Sequence, residues 1–229
     1  MVSARIVEWF IGIFGKRVLC LEFAKLFMST QTRVVSYQAR SFDYLLGAPG
    51  FSDEMLKNHF TLYQGYVKNT NSLSETLMNM VKAGNMGTPE FSELKRRFGW
   101  EWDGMRLHEY YFEGMSRSGA ELEDDSSLGN KIAEDFGSYE NWEKDFKATG
   151  KIRGVGWVAL YFDPRTDRLI NAWINEHDTG HLAGCNLLLI MDVFEHAFMH
   201  DYGLNRANYI DAFFKTIDWN VVLERFPRE

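Results

Sequence analysis

The sequence predicts an α+β fold, in which an α-helical amino-terminal hairpin precedes a mixed α/β half that contains a small antiparallel sheet. Apolar and aromatic residues recur at helical steps of three and four up to about residue 116. Beyond that point, two runs of strand-forming residues, 156–162 and 169–174, flank a short turn and are typical of a β-hairpin. The content of 45% hydrophobic and 15% aromatic residues supplies the core that such a fold needs.

Two helices form the predicted amino-terminal hairpin. Ser52 is suited to cap the first helix, because its hydroxyl can accept a hydrogen bond from an unpaired backbone N–H. The helical pattern continues to about residue 83 and breaks over the glycine- and proline-containing residues 84–89. It resumes over residues 90–116, and the acidic, polar segment 119–129 then connects the two halves.

Helices and strands alternate in the second half. We predict a helix over residues 132–149, followed by the β-hairpin, whose turn contains Pro164. An apolar run over residues 186–193 precedes a further helix, and residues 206–219 again have a helical pattern.

The chain therefore divides into an amino-terminal extension of uncertain role (1–37), a helical domain (38–118) and an α/β domain (126–229). No stretch of eighteen apolar residues occurs, so the sequence indicates no membrane span. The apolar run 9–15 is short and flanked by charges, which disfavours a secretory signal. This region has two alternative explanations: it forms an amphipathic helix, or the functional protein begins at Met28.

Charge and cysteine content restrict the partners and the compartment. A net charge of −7 disfavours nucleic acid as a partner, because binding to phosphates needs clustered Lys and Arg. Cys20 and Cys185 lie far apart and form no CxxC pair, so we expect no disulfide framework and a cytoplasmic location.

Four residues are candidate metal ligands, because imidazole and carboxylate groups both bind transition metals. They are His59, His108, Asp192 and His196. Taken one at a time, each has an ordinary structural explanation: His59 and His108 suit a helix core, and Asp192 and His196, four residues apart, could form an ion pair on a helix face. Spacing alone leaves both explanations open.

The residues around these candidates resemble the iron/manganese superoxide dismutase family. Residues 192–197 (DVFEHA) resemble the family signature Asp-x-Trp/Phe-Glu-His-Ala, and residues 154–157 (GVGW) match its Gly-x-Gly-Trp. Residues 213–222 resemble its closing helix, and the resemblance extends over nearly all of residues 38–226.

The resemblance implies that His59, His108, Asp192 and His196 all bind one iron or manganese ion per subunit, with a slight preference for iron. It implies an antioxidant enzyme that converts superoxide to dioxygen and hydrogen peroxide while the ion alternates between the +2 and +3 states. Its subunits would form a homodimer or a homotetramer.

Three further residues belong to the catalytic site that the resemblance implies: Tyr66, Trp157 and His177. Many relatives hold a Gln near the metal, either at the position of Gly104 or after the hairpin; here His177 takes that role, the alternative being an exposed loop histidine. Tyr66 resembles a gateway tyrosine, although it follows His59 by seven residues and relatives usually have one residue more. Because seven residues nearly complete two helical turns, we expect Tyr66 to face the metal on a helix that lacks a bulge.

Two departures from the family concern the dimer interface. Tyr63 replaces a histidine, and Met199 replaces the tyrosine that pairs with it across the interface. Glu195 remains, and the resemblance implies that it reaches the last ligand of the opposite subunit. Arg206 resembles a basic residue near the substrate funnel, with a surface salt bridge as its alternative role, whereas His181 and His200 receive no role.

Two other functions are alternatives to dismutation. A zinc hydrolase also uses histidine and carboxylate ligands, but it needs a carboxylate base, and the sequence has neither a HExxH motif nor an obvious base. A catalytically silent metal-binding protein on the same fold is the remaining alternative.

Overall fold

The computed structural model describes residues 36–227, and it confirms the α+β class. Nearly all of the predicted extension 1–37 lies outside the described residues, including the apolar run 9–15, Cys20 and Met28. Within residues 36–227, no helix combines the length and the apolar character that crossing a membrane requires.

The amino-terminal half is a hairpin of two long helices, α1 (Asp53–Lys82) and α2 (Pro89–Glu113). The side chain of Ser52 accepts a hydrogen bond from the Met55 N–H, as the sequence predicts for a cap, and Thr88 caps α2 in the same way. Helix α2 ends three residues before the predicted boundary, because the Ser116 N–H bonds to the backbone carbonyl of Thr216 instead of continuing the helix.

Two helices occupy the region where one was predicted over residues 132–149. Helix α3 (Ser127–Phe136) ends at Gly137, whose φ of +83° is the left-handed conformation that glycine adopts easily. Helix α4 (Tyr139–Gly150) then begins with Ser138 as its cap. The single-helix prediction was wrong, since this glycine–serine pair ends one helix and starts the next.

A three-stranded antiparallel sheet follows, formed by β1 (Gly156–Asp163), β2 (Arg168–Asn175) and β3 (Asn186–Asp192) in the order β2-β1-β3. The predicted hairpin is confirmed as β1 and β2. The central strand β1 is almost entirely buried, and its register places Trp157 opposite Asp192 of β3. This pairing brings the Gly-x-Gly-Trp segment beside a candidate ligand.

Four short helices complete the described chain. They are a 3₁₀ helix at Glu195–Ala197, α5 (Met199–Tyr202), α6 (Arg206–Phe214) and α7 (Trp219–Arg225). The continuous helix predicted over residues 206–219 was wrong. The backbone carbonyls of Thr216 and Ile217 bond to the segment after α2, and Asp218 caps a new helix.

Candidate metal centre

Both halves of the molecule contribute to one cluster of potential ligands. His59 and His108 come from α1 and α2, Asp192 ends β3, and His196 lies in the 3₁₀ helix that follows. One potential ligand atom from each residue lies within 4.8 Å of the others. His59, His108 and Asp192 are buried, whereas the side chain of His196 is 23% exposed. The fold thus brings together residues that are up to 137 positions apart (196 − 59).

One carboxylate oxygen of Asp192 faces the three imidazoles. Its Oδ2 lies 3.2 Å from the Nε2 atoms of both His59 and His196, and 3.6 Å from the Nε2 atom of His108. The other oxygen, Oδ1, accepts a hydrogen bond from the Phe194 N–H, and Tyr209 donates to the backbone carbonyl of Asp192. The Phe194 bond orients the carboxylate and the Tyr209 bond holds its backbone, so that Oδ2 remains available to a cation.

The protonation of His108 follows from its neighbour. Its Nδ1 lies within hydrogen-bond distance of the Gly104 backbone carbonyl, which can only accept, so Nδ1 carries the proton. Nε2 of the neutral ring then carries a lone pair, and it is buried without a hydrogen-bond partner among residues 36–227. A buried polar atom without a partner is costly. A metal ion bound at the centre of the cluster would satisfy this nitrogen.

Burial and local charge favour the protonation states that a metal requires. Burial lowers the pKa of His59, and it lowers that of His108 further, because a charged imidazolium would be desolvated. Burial alone would raise the pKa of Asp192, but the charges and hydrogen bonds of His196 and His59 hold it well below its usual range. An ionised carboxylate, together with imidazoles that give up any second proton when they bind, is a donor set that fits iron or manganese.

His177 is fully buried and forms the second layer of the site. Its Nδ1 accepts a hydrogen bond from the Trp157 indole N–H at 3.1 Å, so its proton lies on Nε2. That Nε2 lies 2.8 Å from the hydroxyl of Tyr66. Burial lowers the pKa of His177 to about 4, so it is neutral at pH 7. The alternative of an exposed loop histidine was wrong.

Tyr66 lies beside the ligand cluster. Helix α1 is uninterrupted between His59 and Tyr66, and the Tyr66 ring stacks on His108 with ring centroids 5.3 Å apart. Burial raises the pKa of Tyr66, which keeps its hydroxyl protonated. The Tyr66 hydroxyl points towards His177, on the side of the ligand cluster. This is the orientation that the seven-residue spacing from His59 predicts.

The role of Gly104 was not recognised from the sequence, where it marked only a missing Gln. A Cβ at this position would lie 2.6 Å from Cδ1 of the Tyr66 ring, closer than carbon atoms can approach. Gly104 therefore provides the space that the ring occupies. A glycine inside a long helix is unfavourable, and this was the available signal of a packing requirement.

Tyr63, one of the two departures at the family's interface, has partners within its own chain. Its hydroxyl donates to the carboxylate of Glu109 and accepts from the Arg40 backbone N–H, both at 3.0 Å. Met199 is 43% exposed, and Glu195 is also exposed. The tyrosine that stands in place of the family's histidine thus forms contacts inside its own chain.

Arg206 and the two unassigned histidines, His181 and His200, contact groups other than the four ligands. Arg206 donates to the backbone carbonyls of Ile152 and Gly154, both at 2.8 Å, and forms no salt bridge with a described residue. Its alternative role as a surface salt bridge was therefore wrong. His181 contacts the backbone carbonyl of His177, and His200 is exposed beside Glu54.

Comparisons with known proteins agree with this geometry. Residues 124–225 match the family model of the carboxyl-terminal domain of iron/manganese superoxide dismutases. A manganese superoxide dismutase of Haloferax volcanii is 35% identical over 197 residues, which cover 85% of this chain and 97% of that protein. The chain belongs to the iron/manganese superoxide dismutase family. An iron superoxide dismutase of Cupriavidus metallidurans is 37% identical, covering 77% of this chain and 89% of that protein.

The predicted family is thus confirmed, and relatives named for either metal are similar to this chain. In this superoxide dismutase, the largely buried cluster of three histidines and one aspartate is a group that could bind a metal.

Proposed function

We propose that the chain dismutates superoxide, with one iron or manganese ion held by His59, His108, Asp192 and His196. Two superoxide anions and two protons would yield one dioxygen and one hydrogen peroxide. The observation that carries this proposal is the convergence of four potential ligand atoms, three of them on buried residues, one of which, His108 Nε2, has no hydrogen-bond partner among the described residues. The bound ion would supply one-electron chemistry by alternating between +2 and +3.

His177, Trp157 and Tyr66 would control a proton next to the ion. The Trp157 indole N–H holds Nδ1 of His177, so the single N–H of His177 donates to the Tyr66 oxygen. The Tyr66 hydroxyl then keeps its own proton available for a hydrogen bond to an arriving anion. A carboxamide in the position of His177 would have two N–H donors, so the imidazole restricts donation to one acceptor at a time.

We propose iron as the preferred ion. A glycine at position 104 and a donor on the loop after β2 resemble the placement in manganese enzymes, whereas the imidazole of His177 in the place of a Gln allows iron or the use of either ion. Removing the metal and reloading the chain separately with iron and manganese should give the higher activity with iron. Higher activity with manganese would contradict this preference.

We also propose that the chain forms a homodimer in which Glu195 reaches His196 of a second copy. Glu195 is exposed, forms no ion pair with any residue in the range 36–227, and adjoins the most exposed of the four candidate ligands. Sedimentation of the metal-loaded protein should give twice the chain mass, and Glu195→Ala should shift it towards the monomer. A tetramer is the other outcome that the family allows.

Several broader assignments complete the proposal. The positive charge of Arg206 would attract superoxide against the net charge of −7, so activity should fall with ionic strength less steeply in Arg206→Gln.

Residues 38–118 and 126–229 would be the two domains that share the metal, and residues 1–37 would be an extension. An antioxidant role in the reducing cytoplasm would suit the free thiol of Cys185.

The decisive experiment is metal analysis of the purified protein together with measurement of superoxide consumption. We expect iron or manganese at about one ion per chain and rapid dismutation, which His59→Ala should abolish. Zinc occupancy without dismutation, even after reloading with iron or manganese, would instead favour the catalytically silent metal-binding protein.

A further inference from the structure

The loop that carries His177 joins β2 to the rest of the sheet, and its backbone conformation determines which side chain faces the metal centre. Side chains alternate along a strand, so a buried Ile174 and an exposed Asn175 would be followed by a buried residue 176. Instead Glu176 has a φ of +50°, in the left-handed region that a residue with a side chain rarely adopts. Glu176 is consequently exposed, and His177 is buried.

A contact from the helical half stabilises this unusual turn. The indole N–H of Trp100, in α2, donates to the carboxylate of Glu176 at 3.1 Å. The Glu176 backbone N–H donates in turn to the carbonyl of Val155, just before β1. Glu176 is thus held at both its side chain and its backbone, by groups from opposite halves of the molecule.

Trp100 also packs directly against the two residues that we assign to proton control. Its ring lies edge-to-face on His177, with centroids 4.6 Å apart, and its centroid is 5.6 Å from that of Tyr66. The guanidinium of Arg97 lies 3.9 Å from the Trp100 ring centroid, and Arg97 is itself paired with Glu101. The indole is therefore restrained through its ring, by Arg97 and the two aromatic neighbours, and through its N–H, by Glu176.

We propose that Trp100 is a positioning residue, which acts through Glu176 to hold the Nε2 of His177 against the Tyr66 hydroxyl. This inference rests on the proposed function, because it assigns the contact to the proton-controlling pair of the dismutase site. The contacts of Trp100 with described residues include none of the four ligands. Its effect is on the position of His177.

The test compares four variants of the full, metal-loaded chain with the parent protein. Trp100→Phe removes the N–H but keeps an aromatic ring, and Glu176→Ala removes the acceptor. Glu176→Gln keeps a carbonyl oxygen as acceptor and removes only the charge. Trp102→Phe is the matched control, since Trp102 lies two residues along the same helix and its N–H donates to Tyr37 instead.

We expect Trp100→Phe and Glu176→Ala to lower kcat roughly tenfold at unchanged metal content, in the range found for residues that orient a metal site. Glu176→Gln should restore most of the loss, and Trp102→Phe should retain parental kcat. A purely structural role would lower the unfolding temperature without changing kcat of the folded protein. In a His177→Ala background, Glu176→Ala should have no further effect, because the residue through which it acts is gone.

Any of three results would overturn the proposal. Glu176→Ala could retain parental kcat, or Glu176→Gln could lose as much activity as Glu176→Ala. The third is that Glu176→Ala causes its full loss of kcat even in the His177→Ala background. Crystal structures of the parent and of Glu176→Ala separate this inference from the proposed function. If the parent proved inactive, dismutation would be wrong, yet a longer distance between His177 Nε2 and the Tyr66 oxygen in Glu176→Ala would still support the positioning role. An unchanged distance would refute it.

Discussion

The ligand cluster and the pair formed by His177 and Tyr66 are adjacent, but they are held in different ways. In the cluster, the backbone does much of the orienting: the Gly104 carbonyl sets the proton of His108, and the Phe194 N–H holds one oxygen of Asp192. In the pair, side chains hold each other, since Trp157 donates to His177 and His177 to Tyr66.

Because of this difference, mutations in the two regions should have different effects on metal content and on activity. Changing a ligand should remove the metal, because no other described group replaces the lost donor. Changing a residue around the pair should leave the metal bound and alter the rate, because the contacts there set only the position of a proton donor.

The largest effect should follow from His108→Ala. This change removes the buried nitrogen that lacks a hydrogen-bond partner, and we expect loss of bound metal and a decrease in activity of about 100-fold or more. His200→Ala is the matched control, since His200 is exposed beside Glu54 and is not a member of the cluster. Full metal content in His108→Ala, measured by elemental analysis, would show that the cluster does not behave as one site.

Gly104→Ala should separate the two regions. The added Cβ would overlap the Tyr66 ring, which must move away from His177, so we expect activity to fall roughly tenfold while metal content stays close to that of the parent. Stopped-flow measurement of superoxide decay, normalised to bound metal, checks this. Gly99→Ala is its control, because a Cβ there meets nothing within 4 Å. If both variants had parental rates, the position of Tyr66 would not matter.

The stability of the metal-free chain should depend on His177 at acidic pH. Burial lowers the pKa of His177 from 6.5 to about 4, so between these values the unfolded chain binds the proton more readily than the folded chain. The contribution of His177 to the free energy of unfolding should therefore decrease as pH falls through this window. Urea titrations at a series of pH values give the free energy of unfolding of the parent and of His177→Gln. Plotted against pH, the two free energies should have different slopes in this window and the same slope above pH 7. Equal slopes within the window would contradict the assignment.

The smallest effect is expected from Tyr63→Phe, next to the cluster but outside both groups. It removes a buried donor to Glu109, which should lower the free energy of unfolding by about 1–2 kcal/mol and leave metal content unchanged. Denaturant unfolding of the metal-loaded protein measures it. A change from dimer to monomer without loss of stability would instead place Tyr63 at an interface.

The order of elements and the identity of the candidate ligands were accessible from the sequence. Hydrophobic periodicity predicted α1 and α2, because burying one face of a helix imposes a repeat on the sequence. Runs of strand-forming residues predicted β1 and β2. The sequence motif that contains Asp192 and His196 then indicated the family. The helix ends at Phe136 and Phe214 were missed, since they depend on one left-handed glycine and on backbone hydrogen bonds to a distant segment.

What the sequence by itself determined is the chemistry of the donors: three imidazoles and a carboxylate suit a redox metal wherever they meet. Only the tertiary structure decided their protonation and surroundings. The proton on Nδ1 of His108, the space beside Gly104 and the contact of Trp100 with Glu176 all depend on atoms brought together from distant parts of the chain. Hydrogen-bond direction and close packing are properties of three-dimensional neighbours, which no local pattern encodes.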